Sequence, residues 1–292
     1  MAEQNRNMTD EALSQQLRRS RGGKWGGKLL SLLGVAIAVA GILLGGNLVL
    51  IVLGGVVLAL GQAVQSRSKE QAGQQTFDAM APDIAGTVLE NVQTNPTPPL
   101  LNAEDTNIPL PRHTYCSGSG YIRGVYRGST TELCTIKLTE EDEFLREETG
   151  LWEKNEREVY TGQWLLCQLN REFPTWLTIW PRGTLDKLSG GKTIKTGSEA
   201  FDKRFLLTGG DEAAVLRILT PNRLERLLAL SDASFGKFAV NLDPDGRLYL
   251  AVHSGRGFFQ IGKGRENPAQ LRERFVRELT WFTDMIDVFR SV

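Results

Sequence analysis

Histidine is nearly missing from this sequence, with two residues in 292, and cysteine is scarce, with three. Serine-type catalysis needs a base within hydrogen-bond reach of its nucleophile, usually a histidine, so only His113 and His253 could serve. No GxSxG elbow is present. The nearest arrangement is His253-Ser254-Gly255 at the end of an apolar run, whose plain alternative is a strand-end histidine facing solvent. Cys116, Cys134 and Cys167 are odd in number and lack CxxC spacing, which excludes a disulfide framework and a zinc knuckle. They read as buried thiols in a reducing compartment. His113 and Cys116 could supply two metal ligands, but a four-coordinate site needs partners that nothing signals.

Net charge is also absent, with 34 basic and 34 acidic side chains. Residues 1–28 hold six basic side chains against three acidic ones, so this head is +3 and the remainder −3. A nucleic-acid binder would carry a strongly basic domain, and that class is excluded. Gly190-Gly191-Lys192-Thr193 imitates the end of a phosphate loop, yet Asp186 stands where the pattern demands glycine. Gly118, Gly120 and Gly124 have the wrong spacing for a dinucleotide turn. No catalytic, cofactor-binding or metal-binding residue is assigned, and no cofactor is implied.

Charge is missing most completely between Lys28 and Arg67, where the run is nearly all aliphatic or small. As one helix it would far exceed the ~30 Å hydrocarbon core of a bilayer, so it must fold back, and Gly45-Gly46-Asn47 is the obvious turn. Small residues at helical spacing, Gly34 and Ala38 on one arm and Gly55, Ala59 and Ala63 on the other, suit close packing in lipid. The spacing predicts an N-terminal two-helix transmembrane hairpin over 25–66, after a basic tail over 1–24. A signal-peptidase site at Ala38-Val39-Ala40 and a wholly buried soluble hairpin are the alternatives. Arg18, Arg19, Arg21, Lys24, Lys28, Arg67 and Lys69 flank the run, and the turn has no basic residue. The rule of positive flanks then predicts a multi-pass cell-membrane protein with both termini and the soluble domain cytoplasmic. Partners would include the lipid bilayer, anionic lipid headgroups at the basic flanks, and an unknown membrane protein or a second copy.

Phe77, Met80, Ile84, Val88 and Val92 recur at helical spacing, with Pro82 kinking or starting the helix, and TNPTPPLLNAEDTNIPLPR reads as an extended connector. Together they fill 67–112. The rest, 113–292, reads as an α+β soluble domain with a mostly antiparallel sheet. Strands are expected at 133–138, 159–169 and 175–180, with TEEDEFLREETGLWEKNERE as a charge-dense hairpin or insertion. FDKRFLL reads as a strand, Asp211 as a helix cap, and Pro221 as the start of a further helix. Residues 238–242 and 247–252 flank the turn Asp243-Pro244-Asp245-Gly246, and 258–261 reads as a further strand. A final helix enters at Asn267-Pro268, with Leu271, Phe275, Leu279, Phe282, Ile286 and Phe289 as its apolar stripe.

The segment FDKRFLLTGGDEAAVLRILTPNRLERLLAL, followed by GRLYLAV and GFFQIG, resembles the bacterial family known as domain of unknown function 3137. VYTGQWLLCQLN and YIRGVYRG add a weaker match upstream, so the resemblance covers most of 25–262. It implies a membrane anchor and an α/β soluble domain but no reaction. The function expected is a non-catalytic interaction or scaffold domain tethered to the inner face of a bacterial membrane. The alternative is a membrane-anchored enzyme whose site is assembled from scattered residues.

Overall fold

The computed structural model describes residues 80–146, 151–183, 192–260 and 267–290, with Phe77 and positions 31–37, 39–40, 52–53, 55–58 and 60. The chain divides into two compact units, one of residues 1–80 with 259–272 and one of residues 81–258 with 273–292.

In the first unit, no helix among the described residues is long and apolar enough to cross a membrane. The two-helix transmembrane hairpin over 25–66 is therefore corrected. The tether to a bacterial membrane, the multi-pass localisation and the cytoplasmic orientation all rested on two spans and fall with it. The turn at 45–47 and the basic flanks lie outside the described residues. Elsewhere in this unit, Phe77 meets Phe259 edge to face at 5.8 Å, and Met80 and Leu271 are buried. Asn267 and Gln270 cap one another, each accepting from the other's backbone N–H.

The second unit is built on one eight-stranded sheet: β1 (Glu90–Thr94), β2 (Tyr115–Tyr126), β3 (Ser129–Arg146), β4 (Leu151–Gln168), β5 (Leu177–Pro181), β6 (Phe205–Gly209), β7 (Lys237–Leu242) and β8 (Arg247–His253). Its order is β1-β2-β3-β4-β8-β7-β5-β6 and every pairing is antiparallel. Among the described residues, four helices follow β5: α1 (Glu199–Arg204), α2 (Glu212–Ile218), α3 (Pro221–Asp232) and α4 (Pro268–Arg290). Asp211 caps α2 by accepting from Ala214 N–H at 2.9 Å, and Thr220 with Pro221 opens α3. Gly246 N–H donates to Asp243 O at 3.1 Å, which closes the β7–β8 turn.

Alternation along the strands gives the sheet two buried faces. On one, Phe238 meets Trp281 of α4 at 5.4 Å and Phe258 meets Phe282 at 5.3 Å. The other joins Cys134, Ile136 and Leu138 of β3 to Trp164 and Leu166 of β4, Tyr249 and Ala251 of β8, and Trp180 of β5. The proline-rich connector packs over this second face, with Leu101, Ala103 and Ile108 in the same cluster. Two buried polar side chains pin it. Glu132 Oε1 accepts from the N–H of Leu100 at 2.6 Å and of Leu101 at 2.8 Å, while Oε2 accepts from Arg123 Nε at 2.8 Å. Asn241 Oδ1 accepts from Asn107 N–H at 3.2 Å. A stretch with no strand partner thereby keeps its buried donors satisfied.

Three local expectations change. The helix over 80–85 ends where Thr87 turns back onto Ile84 O, so Val88 lies in a turn and Val92 in β1. FDKRFLL is half helix: Ser198 accepts from Phe201 N–H and starts α1, and β6 begins only at Phe205. Residues 258 and 259 lie in a turn and 260 in no regular element, rather than in a strand, and residue 261 lies outside the described residues.

Candidate functional site

β3 and β4 are each 18 residues long, and only their proximal halves lie within the sheet. β8 accompanies β4 over 163–168, and β2 accompanies β3 no further than Thr139. Beyond, residues 140–146 and 151–157 pair with one another alone. Among the described residues, the result is a two-stranded arm whose β4 edge has no strand partner, while on the β3 side Glu141 N–H donates to Thr114 Oγ1 at 3.0 Å. Of the two readings of the charge-dense segment, the hairpin is the one found, and it continues two core strands.

Residues 139–158 carry nine carboxylates against three basic side chains, a net charge of −6. Lys154 Nζ sits 2.7 Å from Glu141 and 3.2 Å from Glu143, and Arg157 lies 2.6 Å from Glu140. Hydrogen bonding to Lys154 holds Glu141 below the ordinary carboxylate value. Glu141 faces Glu156 directly across the ribbon, a pairing that opposes ribbon formation. Trp152 is 69% exposed.

Where arm meets sheet, the ring of Tyr160 lies against Gly162, and its hydroxyl accepts from Trp164 Nε1 at 2.9 Å. A Cβ on Gly162 would collide with that ring and come within 2.7 Å of Val252 O. His253 stacks on Tyr160 at 4.7 Å. Burial, helped by Lys237 opposite it in the ladder, pushes the imidazole below its ordinary value. Ser254 donates to Arg256 O at 2.9 Å, so its hydroxyl is engaged by the backbone. The structure therefore does not assemble a nucleophile and base from His253-Ser254.

The other singled-out residues are scattered. His113 Nδ1 lies 2.9 Å from Pro111 O and Nε2 lies 3.5 Å from Glu104. Burial raises the thiols of Cys116, Cys134 and Cys167, which keeps them protonated and unreactive at neutral pH. Lys192 pairs with Glu212 at 3.0 Å on the surface. Among the described residues no group of three or more His, Cys, Asp or Glu could hold a metal ion. A depression of ≈ 510 Å³ lies between Arg204, Ser231, Ser234 and Lys237 and contains none of these residues.

Sequence reasoning missed Glu132 and Asn241. For Glu132 a signal existed: it shares strand parity with Cys134, Ile136 and Leu138, so it falls on the core-facing side of β3. It also missed the buried set in which Glu278 accepts from Gln163 Nε2 at 2.9 Å and pairs with Arg256.

Residues 158–290 match the model of a family described as a protein of unknown function, DUF3137. The match starts where the arm ends and runs through α4. The upstream segment 121–128, with the rest of 25–157, lies outside it, so the resemblance is narrower at its start and longer at its end than the motifs imply. Among solved structures, the crystal structure of the mycobacterial trehalose monomycolate transport factor A is similar at 10% identity and a TM-score of 0.31, over 60% of this chain and 75% of that one. That likeness is too weak to bear on function. No curated protein matches the sequence.

Proposed function

The chain belongs to the DUF3137 family, whose description assigns no reaction, and from its own geometry we propose that it is a non-catalytic interaction domain that engages a macromolecular partner through the β3–β4 arm. The observation that carries this reading is the arm itself. Its residues 140–146 and 151–157 add nothing to the sheet's core, yet the chain holds them in register beyond it. A solitary two-stranded ribbon is marginal in water, and this one carries a like-charge pair and an exposed tryptophan at 152. Local choices that oppose stability concentrate at functional elements. The histidines and thiols, by contrast, are engaged in stacking, backbone contacts or burial.

Thr139 and Glu158 are paired, so replacing 140–157 with Asn-Gly closes the strands in a tight turn and removes the arm alone. In-cell crosslinking with mass spectrometry on the full and arm-shortened chains tests the reading. Crosslinks captured by the full chain disappear in the shortened one, while its circular dichroism keeps the same form. An unchanged crosslink set would refute the proposal.

A further inference from the structure

We infer that the arm takes an extended, basic polypeptide segment as an added strand along its β4 edge; this rests on the arm being the interaction element. The edge is open for a structural reason. β8 leaves β4 at Val252 opposite Gln163, and Gly255 N–H reaches Thr161 O at 3.1 Å. Past that point, among the described residues, 151–158 pair only with β3, so their outward N–H and C=O groups are offered to a further strand. Strand addition uses such main-chain groups for affinity and alternate side chains for selection.

Selection is set by what alternates along that edge. Trp152, Lys154, Glu156 and Glu158 share one face of the ribbon. Lys154 is already held by Glu141 and Glu143. Glu156 meets Glu141 across the ribbon, and a cation from an added strand would relieve that repulsion. Trp152 offers an exposed indole to a guanidinium or ammonium group four residues along the same face. A second copy of the arm is the wrong occupant, because it brings −6 against −6. An acidic strand fails for the same reason, and a strand with Lys or Arg at every second position fits both the spacing and the charge.

The test uses the full chain and fluorescence anisotropy of a labelled eight-residue peptide of alternating Lys and Val. Two further probes are an alternating Glu and Val peptide and the Lys-Val peptide N-methylated at every second amide. The Lys-Val peptide binds saturably, Trp152→Ala weakens it about tenfold, and Glu156→Lys weakens it at least as much. Raising the salt weakens binding further, because exposed charges are screened. Neither control peptide binds. Equal binding by both variants, or by either control, overturns the inference. Should the arm-shortened chain lose its cellular crosslinks while the Lys-Val peptide fails to bind, the partner chemistry is wrong and the arm's role stands. Should the peptide bind while the crosslinks persist, the arm's cellular role fails instead.

Discussion

The lower and upper halves of β3 and β4 share one hydrogen-bonded ladder and differ in everything around it. Below Thr139, the ladder is flanked by β2 and β8, and a carboxylate at Glu132 is fully buried with backbone and arginine donors around it. Above it, the carboxylates of Glu140, Glu141 and Glu143 meet arginine, lysine or the Tyr115 hydroxyl, and Glu141 faces Glu156 across the ribbon. The same residue type is thus a structural keystone in one half and a surface determinant in the other. Neighbouring strands decide which.

The sharpest way to break that contrast is to remove one carboxylate from each half. Glu132→Ala leaves Arg123 and the N–H groups of Leu100 and Leu101 without their acceptor, and should cost about 3–5 kcal/mol in urea unfolding. Glu143→Ala in the arm should leave the midpoint where it was. Equal losses would show that the arm is part of the folded core. A smaller effect is expected at the junction. Gly162→Ala displaces the Tyr160 ring and breaks its bond to Trp164, at about 1–3 kcal/mol. Altered near-ultraviolet circular dichroism from Trp164 would accompany the loss, and an unchanged spectrum with full stability would contradict it.

His253 gives a smaller effect still. Its imidazole sits below its ordinary value of 6.5 because of burial and then Lys237, so the unfolded chain takes up that proton more readily than the native one. This contribution to stability is whole above 6.5 and declines as pH falls from there through the depressed native value. His253→Gln should flatten that part of the stability curve, measured by urea unfolding at several pH values; an equally steep acid limb would rule the assignment out. The least effect belongs to the arm-shortened chain, whose melting temperature should match the full chain by calorimetry. A drop of several degrees would mean that the ribbon supports the sheet.

Much of the sheet's local punctuation is legible in the sequence because its causes are adjacent residues. The cap at Asp211, the proline entry at Pro221 and the turn at 243–246 each depend on partners a few positions away. The connector's placement is not, since Leu101 finds Glu132 31 residues on and Asn107 finds Asn241 134 residues on. FDKRFLL misleads because its helical half is short and begins from Ser198, outside the apolar run. The uncharged run at 29–66 shows the limit of composition: length without charge suggests a span, but no described helix there reaches the required length and apolarity. For the arm, alternation and charge suggest a hairpin, but register and neighbours decide that it outruns the sheet.

The strand order also sets a timetable for the growing chain. β1 to β4 pair with sequence neighbours, so that half of the sheet can close as soon as residue 168 is made. Its inner edge at 163–168 must then wait for residues 247–252, some of the last strand residues synthesised, although β8 and β7 lie in the middle of the finished sheet. Closing so long a loop is entropically costly and slows folding. Until it closes, Trp164 and Leu166 stand on a bare strand, and refolding of the full chain should be limited by the β4–β8 union rather than by the meander that precedes it.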